Sequence, residues 1–119
     1  MLIVEDDDAL AGLLERYTRR LGYEPIVAGT AGRAREVFAG NAGVELALVD
    51  LTLPDEPGEK LAEELLRARE SLRVVLMSGY PGSVGLLPEE FRSRAEFLSK
   101  PFLPAELQSR IENLKTKQS

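Results

Sequence analysis

Five short apolar runs alternate along this chain with stretches whose apolar residues recur at helical spacing. Runs such as Leu2-Ile3-Val4 and Leu46-Ala47-Leu48-Val49 lack the polar alternation of a half-solvated strand. Both of their faces must therefore be covered, which is the situation of strands in a parallel sheet. Strand-helix alternation with short connections then predicts right-handed crossovers and helices on both faces. Three of the runs also end in charge: Glu5-Asp6 after the first, Asp50 after the third, Ser99-Lys100 after the fifth. In open α/β sheets ligand sites lie at the carboxyl ends of the strands, so these residues mark the candidate site.

The strands are expected at residues 1–4, 25–28, 44–49, 73–77 and 96–99. Between the first two, a helix over 9–21 shows one apolar stripe of Leu10, Leu13, Leu14, Tyr17 and Leu21, ended by Gly22. Thr30 is placed to cap a helix over 33–40 that buries Ala34, Val37 and Phe38. A helix over 59–69 turns Leu61, Leu65 and Leu66 inward, and a last one over 103–114 does so with Leu107, Ile111 and Leu114. Glycine and proline crowd residues 79–88, so only a short, mobile helix is expected near 88–93. The whole of 1–119 reads as a single domain with a frayed tail at 115–119.

Strand order decides which charged ends meet. In the flavodoxin-like order 2-1-3-4-5, strands one and three are neighbours at the topological switch point. Glu5, Asp6 and Asp50 then share one crevice, with Ser78 and Lys100 arriving on the other side of Asp50. Two carboxylates about 4 Å apart repel by about 4 kcal/mol at a surface-like effective dielectric. One lysine cannot balance three of them, so a divalent cation is the natural counter-ion.

Composition narrows the chemistry further. The chain of 119 residues has no histidine and no cysteine, and its net charge is −5. That excludes a zinc site of the usual kind, a histidine base and a disulfide, and leaves a hard cation on oxygen ligands, magnesium or calcium. The acidic balance argues against a nucleic-acid partner for this domain. No apolar run approaches a membrane span and no basic-then-apolar leader opens the chain, so a cytoplasmic protein without membrane contact is expected. With Mg2+ on Asp6 and Asp50, and Glu5 acting through water, Asp50 is a candidate nucleophile toward a phosphoryl group. Lys100 and the Ser78 hydroxyl would hold the transferred oxygens.

The segments Val4-Glu5-Asp6-Asp7, Leu48-Val49-Asp50-Leu51-Thr52-Leu53-Pro54 with Gly58, Met77-Ser78-Gly79-Tyr80 and Ser99-Lys100-Pro101-Phe102 closely resemble the receiver domains of two-component response regulators. The resemblance covers the whole chain, carries the strand order 2-1-3-4-5 with it, and implies a role for each matching position. Asp50 would accept phosphate from the histidine of a histidine kinase or histidine phosphotransfer protein. Glu5 and Asp6 match the acidic pair that holds magnesium, and Thr52 the position whose backbone carbonyl is a ligand. Ser78 matches the switch hydroxyl, Lys100 its lysine partner, and Phe97 the aromatic that turns inward. That movement would alter the surface of strand four, helix four, strand five and the last helix, and so change the contact with a downstream protein target. A homodimer through the last helical face is a further expectation, and the Lys100–Pro101 bond is often cis in such domains. The wording around Ser78 and Lys100 also resembles receivers at the ends of hybrid histidine kinases. Met1 already falls in the first strand, as in a domain excised from a longer chain, and no output module lies within these residues.

Plainer roles compete at several positions. Asp7 and Asp8 read as helix N-terminal acids favoured by the macrodipole. Core packing explains an aromatic at Phe97 equally well. The alternative function is a phosphorylation-independent interaction module on the same fold. A phosphatase-type aspartyl hydrolase typically places a second acid two residues after its nucleophile, where Thr52 stands here. At most, a chain of this kind catalyses its own phosphorylation and dephosphorylation and is no conventional enzyme.

Overall fold

Parallel strands pair in the order β2-β1-β3-β4-β5 in a computed structural model that describes residues 1–79 and 87–116. The strands are β1 (Leu2–Val4), β2 (Ile26–Ala28), β3 (Leu46–Asp50), β4 (Arg73–Ser78) and β5 (Ala95–Ser99). Four α-helices accompany them: α1 (Asp8–Arg20), α2 (Ala31–Gly40), α3 (Gly58–Ala68) and α4 (Pro104–Thr116). A 3-10 helix (Glu89–Arg94) stands between β4 and β5. This is the α/β fold and strand order expected from the sequence. Lys115 and Thr116, expected in the tail, continue α4, while 117–119 and most of the breaker-rich stretch, 80–86, lie outside the described residues.

The period-2 alternation of strand side chains divides the core into two layers. Leu2, Val4, Ala47, Val49, Val74 and Leu76 face α2, α3 and the 3-10 helix. Ile3, Leu48, Val75 and Met77 face α1 and α4, where they meet Leu14, Leu107 and Ile111. A leucine as fully buried as Leu48 contributes about 1.5–3 kcal/mol, so covering both sheet faces is what holds the strands together. Among the described residues no helix is long and apolar enough to cross a membrane.

Helix ends follow their sequence signals. The Asp7 carboxylate accepts from the Leu10 N–H and caps α1, with Asp8 in the first turn, the helix-terminal roles expected of both. The Thr30 hydroxyl accepts from the Arg33 N–H and caps α2. Gly22, at φ 95°, takes the left-handed conformation just past α1. The expected stripe of α1 needs correction. Its buried residues are Ala11, Leu14 and Thr18, whereas Leu13 and Leu21 are each 36% exposed. Small Ala11 allows close approach, and the Thr18 hydroxyl spends its polarity on the Leu14 carbonyl at 2.8 Å, so a polar residue outside the expected stripe is buried.

Candidate functional site

Four strand ends deliver the site, because a parallel sheet points all its carboxyl termini one way. β1 hands over to Glu5, whose N–H donates to the Ala28 carbonyl at 3.0 Å and fixes it beside β2. Glu5 is almost fully buried, and Asp6 beyond it is exposed. β3 ends at buried Asp50, β4 at buried Ser78 and β5 at Ser99, directly before Lys100. The Lys100 N–H donates to the Ser78 carbonyl at 2.8 Å, and the Lys100–Pro101 peptide is cis.

Lys100 joins the two buried acids. Its Nζ lies 2.8 Å from Glu5 Oε1 and 3.1 Å from Asp50 Oδ2. Glu5 Oε2 accepts from the Asp7 N–H at 3.2 Å, and Asp50 Oδ1 accepts from the Thr52 N–H at 3.0 Å. Glu5, Asp6 and Asp50 each offer a carboxylate oxygen within 4.8 Å of the others. The structure thus gathers Glu5, Asp6, Asp50 and Lys100 into one pocket and sets Thr52 against Asp50. Ser78 reaches it through the backbone of Lys100. Phe97 stands apart, partly buried against the α2/α3 layer of the core.

Three carboxylates against one ammonium leave an excess of two negative charges. Burial pushes the Glu5 carboxyl up to about 7; the Lys100 hydrogen bond opposes that rise and neighbouring Asp50 reinforces it. Burial also works against the charge on Lys100, yet its bonds to Glu5 and Asp50 outweigh it and raise its pKa. The donor set fits a hard divalent cation: oxygen ligands only, and more negative charge than the lysine neutralises.

Two features were missed in the sequence. Asp55 accepts from the N–H groups of Ala31 and Gly32, both at 2.9 Å. Glu56 pairs with Arg35, which also binds Glu64. The Asp-Glu pair after Leu53-Pro54 was the available signal, but nothing in the spacing names a helix N-terminus as its partner. Beside Lys100 lies an apolar groove of about 470 Å³, lined by Leu10, Leu13, Tyr17, Pro101 and Phe102 together with Lys100 itself.

Comparison with known proteins agrees with this geometry. The model of the response regulator receiver domain matches residues 1–112. The transcriptional regulatory protein AruR of Pseudomonas aeruginosa is 33% identical over 118 residues, covering 96% of this chain and 48% of that protein. The DNA-binding transcriptional regulator NtrC of Azospirillum brasilense is 31% identical over 112 residues, covering 94% of this chain and 23% of that protein. The chain therefore spans half or less of the length of these relatives. Among solved structures, a CheY-like receiver domain from Methanospirillum hungatei superposes with a TM-score of 0.80 at 29% identity, over 98% of this chain and 94% of that one. The receiver domain of the hybrid histidine kinase CckA gives 0.78 at 28% identity, over 95% of this chain and 96% of that one.

Proposed function

The chain belongs to the response regulator receiver domain family of two-component signalling, and from that premise we propose that it is a magnesium-dependent switch phosphorylated on Asp50. The observation that carries this reading is the bridge from Lys100 to both Glu5 and Asp50, beside Asp6. A phosphohistidine on a histidine kinase or phosphotransfer partner is the donor, since this chain has no histidine of its own. An Asp50 carboxylate oxygen attacks phosphorus, the P–N bond breaks, and the imidazole leaves with its electron pair and takes a proton from solvent. Magnesium held by Asp6, Asp50 and the Thr52 carbonyl, with Glu5 beside it, would neutralise charge on the transferring oxygens.

The chain's own groups do the rest. The Lys100 ammonium trades its contact with Asp50 Oδ2 for a phosphoryl oxygen, so charge is stabilised without a new cation having to arrive. The Ser78 hydroxyl then engages the phosphoryl group, and Phe97 turns inward. The surface of β4, the 3-10 region, β5 and α4 changes in consequence, altering the contact with a downstream protein or a second copy of the chain.

Acetyl phosphate with magnesium is expected to add one labile phosphoryl group, and Asp50→Asn to abolish it, read by intact-mass spectrometry. Labelling that persists in that variant would overturn the assignment. A chain that neither binds magnesium nor accepts phosphate from any donor would instead be a phosphorylation-independent interaction module.

A further inference from the structure

The N–H groups of Ala31, Gly32 and Arg33 precede the first intrahelical bond of α2, from the Ala34 N–H to the Thr30 carbonyl, and all three are accounted for. Arg33 donates to the Thr30 hydroxyl. The other two, on Ala31 and Gly32, donate to the two carboxylate oxygens of Asp55, more than twenty residues later in the chain. One acid thus takes both remaining donors, with the positive end of the helix dipole behind them. Next to it, Arg35 on α2 grips Glu56 at 2.6 Å and Glu64 at 2.7 Å, a second tie between α2 and the segment after β3.

That segment is the loop from Asp50 to Gly58. Its near end is fixed by the Thr52 N–H on Asp50 Oδ1, by a bridge between Thr52 and Pro57, and by the Gly58 N–H on the Leu51 carbonyl at 2.9 Å. Its far end is Asp55. The other side of the pocket begins at Glu5, whose N–H binds Ala28, and Ala28 is followed two residues later by Thr30, the cap of α2. Bonds and chain therefore run in a closed circuit: Glu5 to Ala28, along the chain to the start of α2, across to Asp55, and back through Thr52 to Asp50. Lys100 closes it from Asp50 to Glu5.

We propose that Asp55 is a positioning residue for the site, one that pins the Thr52 loop to the start of α2 and so fixes Thr52 relative to Glu5 and Asp50. The inference rests on the reading of Asp50 as phospho-acceptor. It adds a residue that touches neither cation nor phosphate but sets the spacing of those that do. Arg35 and Glu56 steady the same loop. Partners of this kind behind a ligand commonly change metal affinity by about 10- to 100-fold when removed.

The test compares Asp55→Ala with Val37→Ala, a core truncation under α2 that lowers stability without touching the circuit. Magnesium chloride is titrated at fixed acetyl phosphate, the melting temperature is recorded, and amide hydrogen exchange is followed at Thr52. Asp55→Ala is expected to raise the magnesium needed for half-maximal labelling about 10-fold, with the rate at saturating magnesium retained and faster exchange at Thr52. Asp55→Asn, which keeps one acceptor oxygen for two donors, should fall between it and the parent chain. Val37→Ala should lower the melting temperature and leave the magnesium requirement alone. An unchanged requirement in Asp55→Ala, or an equal rise in Val37→Ala, would overturn the proposal. If the parent chain takes no label, the Asp50 reading fails, and exchange at Thr52 still decides: faster in Asp55→Ala supports the pinning, unchanged refutes it.

Discussion

The two ends of the sheet carry opposite charge for related reasons and put it to different uses. At the amino end the helices terminate and present carbonyls without partners. Arg69 there donates to the carbonyls of Phe38, Asn41 and Val44 and stacks on the Phe38 ring, 3.7 Å from its centroid. Arg94 donates to Leu66, Arg69 and Leu72. At the carboxyl end the helices begin and present N–H groups, which Asp7 and Asp55 accept. Up to this point the two ends mirror each other, each side chain spent on the backbone. The mirror breaks at Glu5, Asp6 and Asp50, whose charge exceeds what Lys100 and the local N–H groups absorb. Charge in excess of structural need is what marks the carboxyl end as the site.

The largest expected effect tests that excess directly. Glu5 is raised to about 7 in the folded chain, above its ordinary value of 4.5. The folded state then binds the proton more tightly than the unfolded state between those two values, so stability falls as pH rises through them and levels off above. The full span is about 3 kcal/mol. Lys100, raised as well, keeps its contribution throughout this window and loses it only in strong alkali. Asp55 and Glu56 are lowered, by backbone N–H groups and by Arg35 respectively, so their contribution has the opposite sign and disappears only in acid. Thermal melts from pH 4.5 to 8 should show the decline, magnesium should remove it, and Glu5→Gln should flatten it. A flat profile in the parent chain would mean the amino-end pattern of fully met charge holds at both ends.

Glycine gives the next contrast. A Cβ at Gly58 would run into the Asp50 carbonyl and stand 2.7 Å from the Leu51 Cα, whereas one at Gly43, before the other end of β3, meets nothing within 4 Å. Gly58→Ala should therefore cost about 2–3 kcal/mol and slow labelling, since the backbone that must yield is that of Asp50. Gly43→Ala should leave both within error in denaturant melts and labelling assays.

Much of this was legible in the sequence because period 2 and parallel connection dictate it. Once β1, β3 and β5 are recognised, Glu5, Asp6, Asp50 and Lys100 must converge, and they do. What escaped were contacts from side chain to backbone. Asp55 binds N–H groups and Arg94 binds carbonyls, and every residue type supplies those, so no spacing advertises them. The exposure of Leu13 and Leu21 escaped for another reason: a stripe chosen by hydrophobicity alone overlooks Ala11 and Thr18, which suit a tight helix-sheet contact better than leucine. The joint hold of Lys100 on Glu5 and Asp50 was half seen. Strand order brings Lys100 beside Asp50 and the phosphoryl oxygens and leaves Glu5 to water, whereas the lysine holds both acids.

The smallest effect belongs to the amino end and separates its charges from those of the site. Arg94→Met keeps much of the aliphatic stem and removes the guanidinium that serves the carbonyls of Leu66, Arg69 and Leu72. An acceptor left without a donor costs about 1–3 kcal/mol when water cannot replace it. Arg94 is only half-buried, so water recovers part of that and a net loss of about 2 kcal/mol is expected. Because carbonyls do not titrate, the loss should be the same at pH 5 and pH 8, and magnesium-dependent labelling of Asp50 should be unaffected once the variant is folded. The same thermal melts that show a pH slope for the parent chain should show two parallel slopes, displaced by a constant. Lines that converge at one pH would mean that Arg94 senses the ionisation of Glu5 across the sheet, and the two ends would then be one electrostatic system.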